Sequence, residues 1–431
     1  MVSQRGPYRA ITDFREIGEV LEEVRGRVRP LVRTVFMRTR DAVGMVVARE
    51  VVAPRDHPPL HMSHMDGFAV RSTDTRDASE ERPVFLRVVG SIGPGQTSEL
   101  LDKGCAVRIH TGGYLPEGAD AVIRQEEIAI ADGEKIGVTR PLEPMENVVP
   151  AGSEVRGGEV LVRSGEVLRP AMASLLETLG IAMVEVRAPV RVAIVSFGDE
   201  LTEDPEEVQR GKLLNSHAYL VYHMVKRLFC DPMKPIIVPD DPRQIREATT
   251  RSLSSSDCVL TIGGSSVGDI DLVSAELKRL AELFIQGIKL QPGRVGGAAV
   301  IGGKPLIMLP GLIHSTVNVF NYLAAPILAH LGGTSIEQFM LRVRAYLDSD
   351  IHFPKRRNFV RVVWVTLSRR ADAYYARPNI TDASNIRSIA ESHGYVEIPP
   401  MVVDLKAGQR VEVKIPLWLA GYGLNIFGRD L

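Results

Sequence analysis

The chain has 431 residues, with 52 Lys+Arg against 53 Asp+Glu and a formal net charge of −1. That balance supplies no global field for nucleic acid or an anionic membrane, so any anion site has to be local. The length exceeds one hydrophobic core, which predicts two to four domains, and three scattered cysteines (Cys105, Cys230, Cys258) without CxxC spacing argue against a disulfide framework and a structural zinc site.

Along the chain, residues 1–20 are broken by Arg5, Arg9, Asp13, Arg15 and Glu16 and hold no signal-peptide core. Residues 1–53 lean helical, as do residues 146–188. Between them, over 54–145, turn signals such as Gly93-Pro94-Gly95, Gly112-Gly113 and Asp132-Gly133 separate short β-type runs, which predicts a small all-β module. Residues 190–333 then alternate. Strands are expected at 190–196, 234–238, 258–262, 286–290 and 305–309, and helices at 216–228, 244–253, 272–282 and 315–331. Such alternation predicts a parallel sheet covered on both faces. The most apolar segment, 317–331, contains Asn318, Asn321, Pro326 and His330 and falls short of the roughly 20 apolar residues that span a bilayer, so a cytoplasmic protein is expected. Residues 334–431 lean toward β structure, with runs at 360–365 and 411–415.

The chemistry concentrates at strand ends, where parallel sheets bind ligands. The strand at 258–262 runs into Gly263-Gly264-Ser265-Ser266-Val267-Gly268-Asp269-Ile270-Asp271. Its glycines lack a Cβ that would hold a ligand off the backbone, and successive N–H groups with the hydroxyls of Ser265 and Ser266 suit phosphate oxygens. Asp269 and Asp271 offer hard carboxylate oxygens of the kind Mg²⁺ takes. Three further strand ends carry Gly198-Asp199-Glu200, Gln291-Pro292-Gly293-Arg294 and Leu309-Pro310-Gly311.

These four loops resemble the molybdopterin-binding domain shared by adenylyltransferases and molybdenumtransferases of molybdenum-cofactor synthesis. The flanks resemble the latter. Residues 42–51, leading through Asp56-His57-Pro58-Pro59 to Met65-Asp66-Gly67-Phe68-Ala69-Val70-Arg71, look like the leading segment of the MoeA and gephyrin E-domain family. Residues 107–113 and 115–122 look like its inserted β domain. The resemblance implies a multidomain α/β plus β protein with four parts. These are an elongated N-terminal domain split into 1–53 and 146–188, an inserted β domain at 54–145, a doubly wound molybdopterin-binding α/β domain at 189–333 and a C-terminal β domain at 334–431. The implied activity is Mg²⁺-dependent insertion of molybdate or tungstate into adenylated molybdopterin with release of AMP. It would take place in a homodimer whose site is shared between subunits, with the adenylyltransferase and molybdoenzymes as further partners.

Carried over residue by residue, the resemblance gives catalytic roles to Asp66, Glu200, Asp269 and Asp271, and metal ligation to Asp271, Glu200 and Asp257. Substrate contacts fall to Thr111, Glu126, Glu154, Ser196, Gly198, Gly263, Gly264, Ser265, Ser266, Gly268, Pro292, Gly293, Arg294, Pro310, Gly311, Ser315 and Ser384. Simpler readings stand beside several of these. Asp66-Gly67 also suits a tight turn, Asp271 a helix N-cap, Asp257 the end of a helix-strand turn, and Ser384 with Ser388 a plain Ser/Asn turn.

The chain also departs from the family pattern. Lys-Pro-Gly-Lys-Pro becomes Gln291-Pro292-Gly293-Arg294-Val295, and Asn-Pro after Leu-Pro-Gly becomes Leu312-Ile313, with Ser315 kept. Phe197 replaces a threonine, Asn215-Ser216-His217 an Asp-Ser-Asn triplet, and Glu154 an aspartate. His217 and His314 are either compensating donors or structural. Three outcomes stay open: a transferase with altered anion choice, a paralogue that binds or carries the cofactor, and an adenylyltransferase, which the flanks disfavour. No GxGxxG follows the first α/β strand, which sets aside a dinucleotide-binding dehydrogenase.

Overall fold

Helix α1 (Ile17–Arg27) places Val20 and Val24 four residues apart on one face, and both are fully buried. They pack into the core built by residues 190–331, and His330 Nε2 meets Val28 O at 3.0 Å just past the helix. This helix of the N-terminal segment therefore packs on the α/β domain. The structure, a computed structural model, describes residues 11, 13–131, 134–264, 272–355 and 357–420.

Strand β1 (Thr34–Arg38) leads toward the insertion. There, β2 (Gly67–Val70), β3 (Val84–Ile92), β4 (Cys105–Ile109), β5 (Ala121–Arg124), β6 (Ile130–Ala131) and β7 (Lys135–Val138) form one sheet in the order β5-β2-β4-β3-β7-β6. The chain returns through α2 (Pro170–Thr178) to β8 (Met183–Arg187), which pairs antiparallel with β1, Val35 opposite Val186. Val51–Val52 pairs with Val160–Val162, and Val148–Val149 with Met62–Ser63. The expected helical lean of 1–53 and 146–188 is thus corrected. Among their described residues the α-helices are α1 and α2, because β-branched valines find partners across the insertion that local propensity does not register.

The α/β domain runs β9 (Arg191–Phe197), α3 (Ser216–Lys226), β10 (Ile236–Val238), α4 (Pro242–Ser255), β11 (Cys258–Ile262), α5 (Leu272–Leu280), β12 (Leu283–Gln286), β13 (Gly297–Ile301), β14 (Lys304–Leu309), α6 (Ile313–Val319) and α7 (Ala325–Leu331). Strand β9 is apolar on both faces because both are covered. Val192 and Ile194 join the core under α1, α3, α6 and α7, while Ala193, Val195 and Phe197 join the core under α4 and α5. Strands β10, β9, β11 and β14 are parallel, but β13 runs antiparallel to both of its neighbours, β14 and β12. The parallel sheet expected from sequence thus carries one antiparallel strand at β13. Gly302 and Gly303, at φ 58° and 70°, close a tight hairpin between β13 and β14. The strand expected at 286–290 breaks at Gly287, whose φ is 100°. Helix α6 begins two residues earlier than expected and joins α7 through a π-helical turn, Phe320–Ala324, ahead of Pro326, which lacks an N–H.

The C-terminal module is a closed barrel of β15 (Met340–Leu347), β16 (Val360–Arg370), β17 (Ala373–Pro378), β18 (Gly394–Ile398) and β19 (Arg410–Pro416), with α8 (Ile386–Ala390) between β17 and β18 and α9 (Leu417–Ala420) at its end. Polar stitches join it to the α/β domain. Trp364 Nε1 donates to Asn318 Oδ1 at 3.0 Å, Asn318 Nδ2 to Pro292 O at 3.0 Å, Trp418 Nε1 to Asn321 Oδ1 at 3.0 Å and Tyr322 OH to Glu397 Oε2 at 2.6 Å. Replacing Asn318 by Leu leaves the Trp364 N–H and the Pro292 carbonyl buried without partners. We expect a loss of about 2–4 kcal/mol, read as a lower thermal midpoint for the barrel by calorimetry.

Candidate active site

Strands β9, β10, β11 and β14 end on one edge of the sheet, and glycine is required there twice for steric reasons. At Gly198 the φ of 147° is one that favours glycine, and the Glu200 carboxylate folds back to within 2.4 Å of where a Cβ would lie. At Gly264 (φ 68°) a Cβ would lie 2.4 Å from Val273 Cγ2. Gly263 donates its N–H to Leu309 O at 3.1 Å, and a Cβ on Gly311 would come to 4.0 Å from Gly263 Cα. The two glycine loops are therefore neighbours. Ser196 Oγ donates to Asn215 Oδ1 at 2.8 Å, both residues are buried, and among the described residues Asn215 Nδ2 has no partner. Asp240 N donates to Asp199 Oδ1 at 3.2 Å, which brings the end of β10 beside Glu200. Glu200 thus offers a carboxylate oxygen of the kind Mg²⁺ takes beside the glycine loop, although among the described residues no three His, Cys, Asp or Glu side chains cluster as a metal site. Ser265, Ser266, Gly268, Asp269 and Asp271 lie outside the described residues.

A cleft of about 470 Å³ opens between this domain and the barrel, lined by Gln291, Pro292, His314, Lys355, Arg361, Trp364 and Asp382 among others. Gln291 pairs in register with Arg361, so the β16 edge carries the guanidinium to the Pro292 loop. Arg361 is 2% exposed. Its Nη1 donates to Phe353 O at 2.7 Å, its Nη2 to Val402 O and to Pro399 O, and among the described residues its Nε has no partner. All its acceptors are neutral carbonyls. Burial lowers its pKa from 12.5, yet a guanidinium keeps its proton, so an uncompensated positive charge faces the cleft. His314 Nε2 meets Ser388 Oγ at 2.6 Å and Asn385 O at 3.2 Å, and burial pushes its pKa down. His217 Nδ1 meets Gly311 O at 3.0 Å, and burial lowers its pKa too.

Most of the remaining sequence candidates gather here. Pro292 holds Asn318 through its carbonyl, Gly293 (φ 133°) packs against Leu290 and Val319, and Arg294 is half-buried. Pro310 O accepts from Thr316 Oγ1 at 2.5 Å, and Ser315 is buried on α6. Ser384 donates through N and Oγ to Asp382 Oδ1, at 2.9 and 2.7 Å, beside the cleft. Asp257 is corrected. It precedes β11 at the amino end of the sheet, where it bonds Arg33 Nη2 at 2.5 Å and Arg191 N at 2.9 Å. A five-residue strand separates it from the glycine loop by roughly 16 Å, so it holds no metal there.

A second group sits on the inserted sheet. Asp66 Oδ1 accepts from Thr111 N at 2.7 Å and Thr111 Oγ1 at 3.0 Å, with His110 Nδ1 at 3.7 Å. These bonds hold its carboxyl below the usual carboxylate value. Glu126 is exposed on the turn after β5, where Gln125 N donates to Asp66 O. Glu154 lies near His57, at 3.5 Å. Sequence reasoning missed Asp240, Lys355, Asp382 and above all Arg361. Asp240 follows a strand end, which is a readable signal, but an arginine inside the apolar run at 360–365 reads as a solvent-facing strand position.

Family models match along the chain in order: the MoeA N-terminal region (domains I and II) over residues 15–180, a molybdopterin-binding domain over 193–330 and the MoeA C-terminal region (domain IV) over 344–415. This multidomain α/β plus β chain belongs to the MoeA family. A molybdopterin molybdenumtransferase of Haemophilus influenzae is 30% identical over 302 residues, covering 70% of this chain and 74% of that one. The molybdopterin molybdenumtransferase of Staphylococcus epidermidis is 28% identical over 391 residues, covering 89% and 91%. The crystal structure of a molybdopterin biosynthesis MoeA protein from Pyrococcus horikoshii superposes with a TM-score of 0.81 at 28% identity, covering 94% of this chain and all of that one.

The Asp66 site is testable on its own. Its folded pKa is depressed, so its interaction stabilises above the ordinary carboxylate range and is lost as pH falls through the folded value. Thr111→Val keeps the larger backbone bond and removes the hydroxyl. We expect the Asp66 midpoint, followed by NMR, to rise toward the ordinary value without reaching it.

Proposed function

We propose that the chain is a molybdopterin molybdenumtransferase, inserting molybdate or tungstate into adenylated molybdopterin with Mg²⁺ and releasing AMP. The observation that carries this reading is Arg361, a buried guanidinium with no carboxylate partner among the described residues, set in a cleft beside the glycine loops. Bringing an oxyanion to an adenylated phosphate places two anions together, and their repulsion has to be offset by cations and oriented N–H groups. In this assignment the Gly263-Gly264 backbone holds the pterin-side phosphate, while Arg361 and Lys355 hold the oxyanion. Glu200, with Asp199 and Asp240 nearby and Asp269 and Asp271 following in sequence, would hold Mg²⁺. The ion, when bound, neutralises phosphoanhydride charge as AMP leaves. Glu200 positions the hydration shell from the strand end, and Asn215, through its unpaired Nδ2, donates to the ligand.

Asp66, Thr111 and Glu126 lie on a different domain from the strand ends. In this proposal they complete the site of a second subunit in a cytoplasmic homodimer that receives its nucleotide from an adenylyltransferase. AMP release by purified protein, dependent on both Mg²⁺ and oxyanion, is the test. Glu200→Gln is expected to lower kcat by about 100-fold. Tight binding of adenylated molybdopterin by the wild-type chain with no AMP release under any oxyanion would replace the transferase by a carrier. Mixing Asp66→Ala with Glu200→Gln protomers should restore roughly a quarter of wild-type activity, since half of random dimers carry one intact shared site. No restoration would place both residues in the same subunit's site.

A further inference from the structure

His314 occupies an unusual position in the cleft. It starts the second residue of α6, its backbone N donates to Ala383 O at 3.1 Å, and its ring reaches the barrel. The Ser388 hydroxyl donates to Asn385 O at 2.8 Å, so Ser388 Oγ is left to accept from His314 Nε2–H. This fixes the neutral tautomer with its proton on Nε2 and a lone pair on Nδ1. Among the described residues no partner meets Nδ1, while the His314 ring lines the same cleft as Arg361, Lys355 and Gln291.

We propose that His314 is the proton-bearing ligand of the cleft, its Nε2 tied to the barrel and its Nδ1 taking up one solvent proton to donate to a bound tetrahedral oxyanion. This rests on the proposed use of the cleft for an oxyanion. The position paired with Arg361 is the neutral Gln291, so a second titrating donor supplies charge that this loop lacks. Without ligand, burial keeps the ring neutral, opposed by the Asn385 carbonyl and the field of Asp382. The facing groups are Asp382 and Ser388 from the barrel's α8 segment, Arg361 from β16, Lys355 from the preceding loop, and His217 on Gly311 from α3. Arg387 and Glu391 of α8 pair with each other at 2.7 Å. Burial therefore favours the neutral ring until a dianion enters, and the dianion reverses that preference.

Linkage then makes oxyanion affinity fall as pH rises above the ligand-free pKa of His314, by up to about tenfold per pH unit for one proton. The full chain is titrated with molybdate and with sulfate, which stay dianionic from pH 6 to pH 8, by calorimetry in two buffers of different ionisation heat. The expected result is close to one proton taken up per anion at pH 7.5 and a sloping affinity. His314→Gln, which can still donate to Ser388, should bind as at high pH with neither slope nor uptake. Lys355→Ala should weaken binding at every pH and keep the slope. Anion binding without proton uptake, or an unchanged slope in His314→Gln, overturns the role of His314 alone. An unaffected Lys355→Ala places the anion elsewhere and overturns it as well. No anion binding by the wild-type chain removes the oxyanion cleft itself, and His314's role with it.

Discussion

The interaction on which the rest of the site depends is the pair of buried amide–indole hydrogen bonds that hold the barrel against α6 and the π turn. Asn318 sits between Trp364 of the barrel and the carbonyl of Pro292, so one side chain ties the second domain to the loop that faces the cleft. Asn321 and Trp418 repeat the device one turn later. Each bond contributes only about 1 kcal/mol net, but breaking one strands a desolvated group, so the two domains hold a fixed relative position. The cleft exists because that position leaves a gap between the Pro292 loop and β16.

Arg361 illustrates what such a fixed joint allows. A buried cation is costly unless its hydrogen bonds are met, and here backbone carbonyls from residues 353, 399 and 402 take three hydrogen bonds from the guanidinium. Carbonyls satisfy geometry without cancelling charge. The cleft therefore keeps a positive potential that a salt bridge would have erased. At the opposite end of the sheet the same chemistry is used the other way. Arg33 and Asp257 neutralise each other and stabilise a domain contact, with nothing left over for a ligand.

The strand ends obey a different constraint, which is steric. Gly198 and Gly264 hold positive φ, and at Gly264 the Val273 side chain leaves no room for a methyl group. The Glu200 carboxylate and the glycine loop are consequently set by backbone shape. The glycine amides converge because four parallel strands end together, and the cleft lies beside them because Pro310 follows β14 while Leu290–Gln291, just ahead of Pro292, pairs with β16 of the barrel.

Much of this was legible in the residues. The alternation of apolar runs with helices, the glycine loops, the Asp66-Gly67 flank and the valine-rich C-terminal runs define the domain types, since period and turn chemistry are local properties. The helical lean of the split N-terminal segments misled, because Val51 and Val160 choose strand only once they meet across the insertion. The antiparallel β13 was hidden in a short glycine- and alanine-rich run, although Gly302-Gly303 announces its hairpin. Asp257 and Arg361 mark the boundary most clearly. One is an aspartate in the right motif on the wrong end of a strand, and the other an arginine with no motif that closes a cleft. The sequence by itself determined which chemical groups the chain carries and which short elements bear them. Only the tertiary structure decided which groups face a ligand, because charge pairing and burial depend on neighbours brought together from distant parts of the chain.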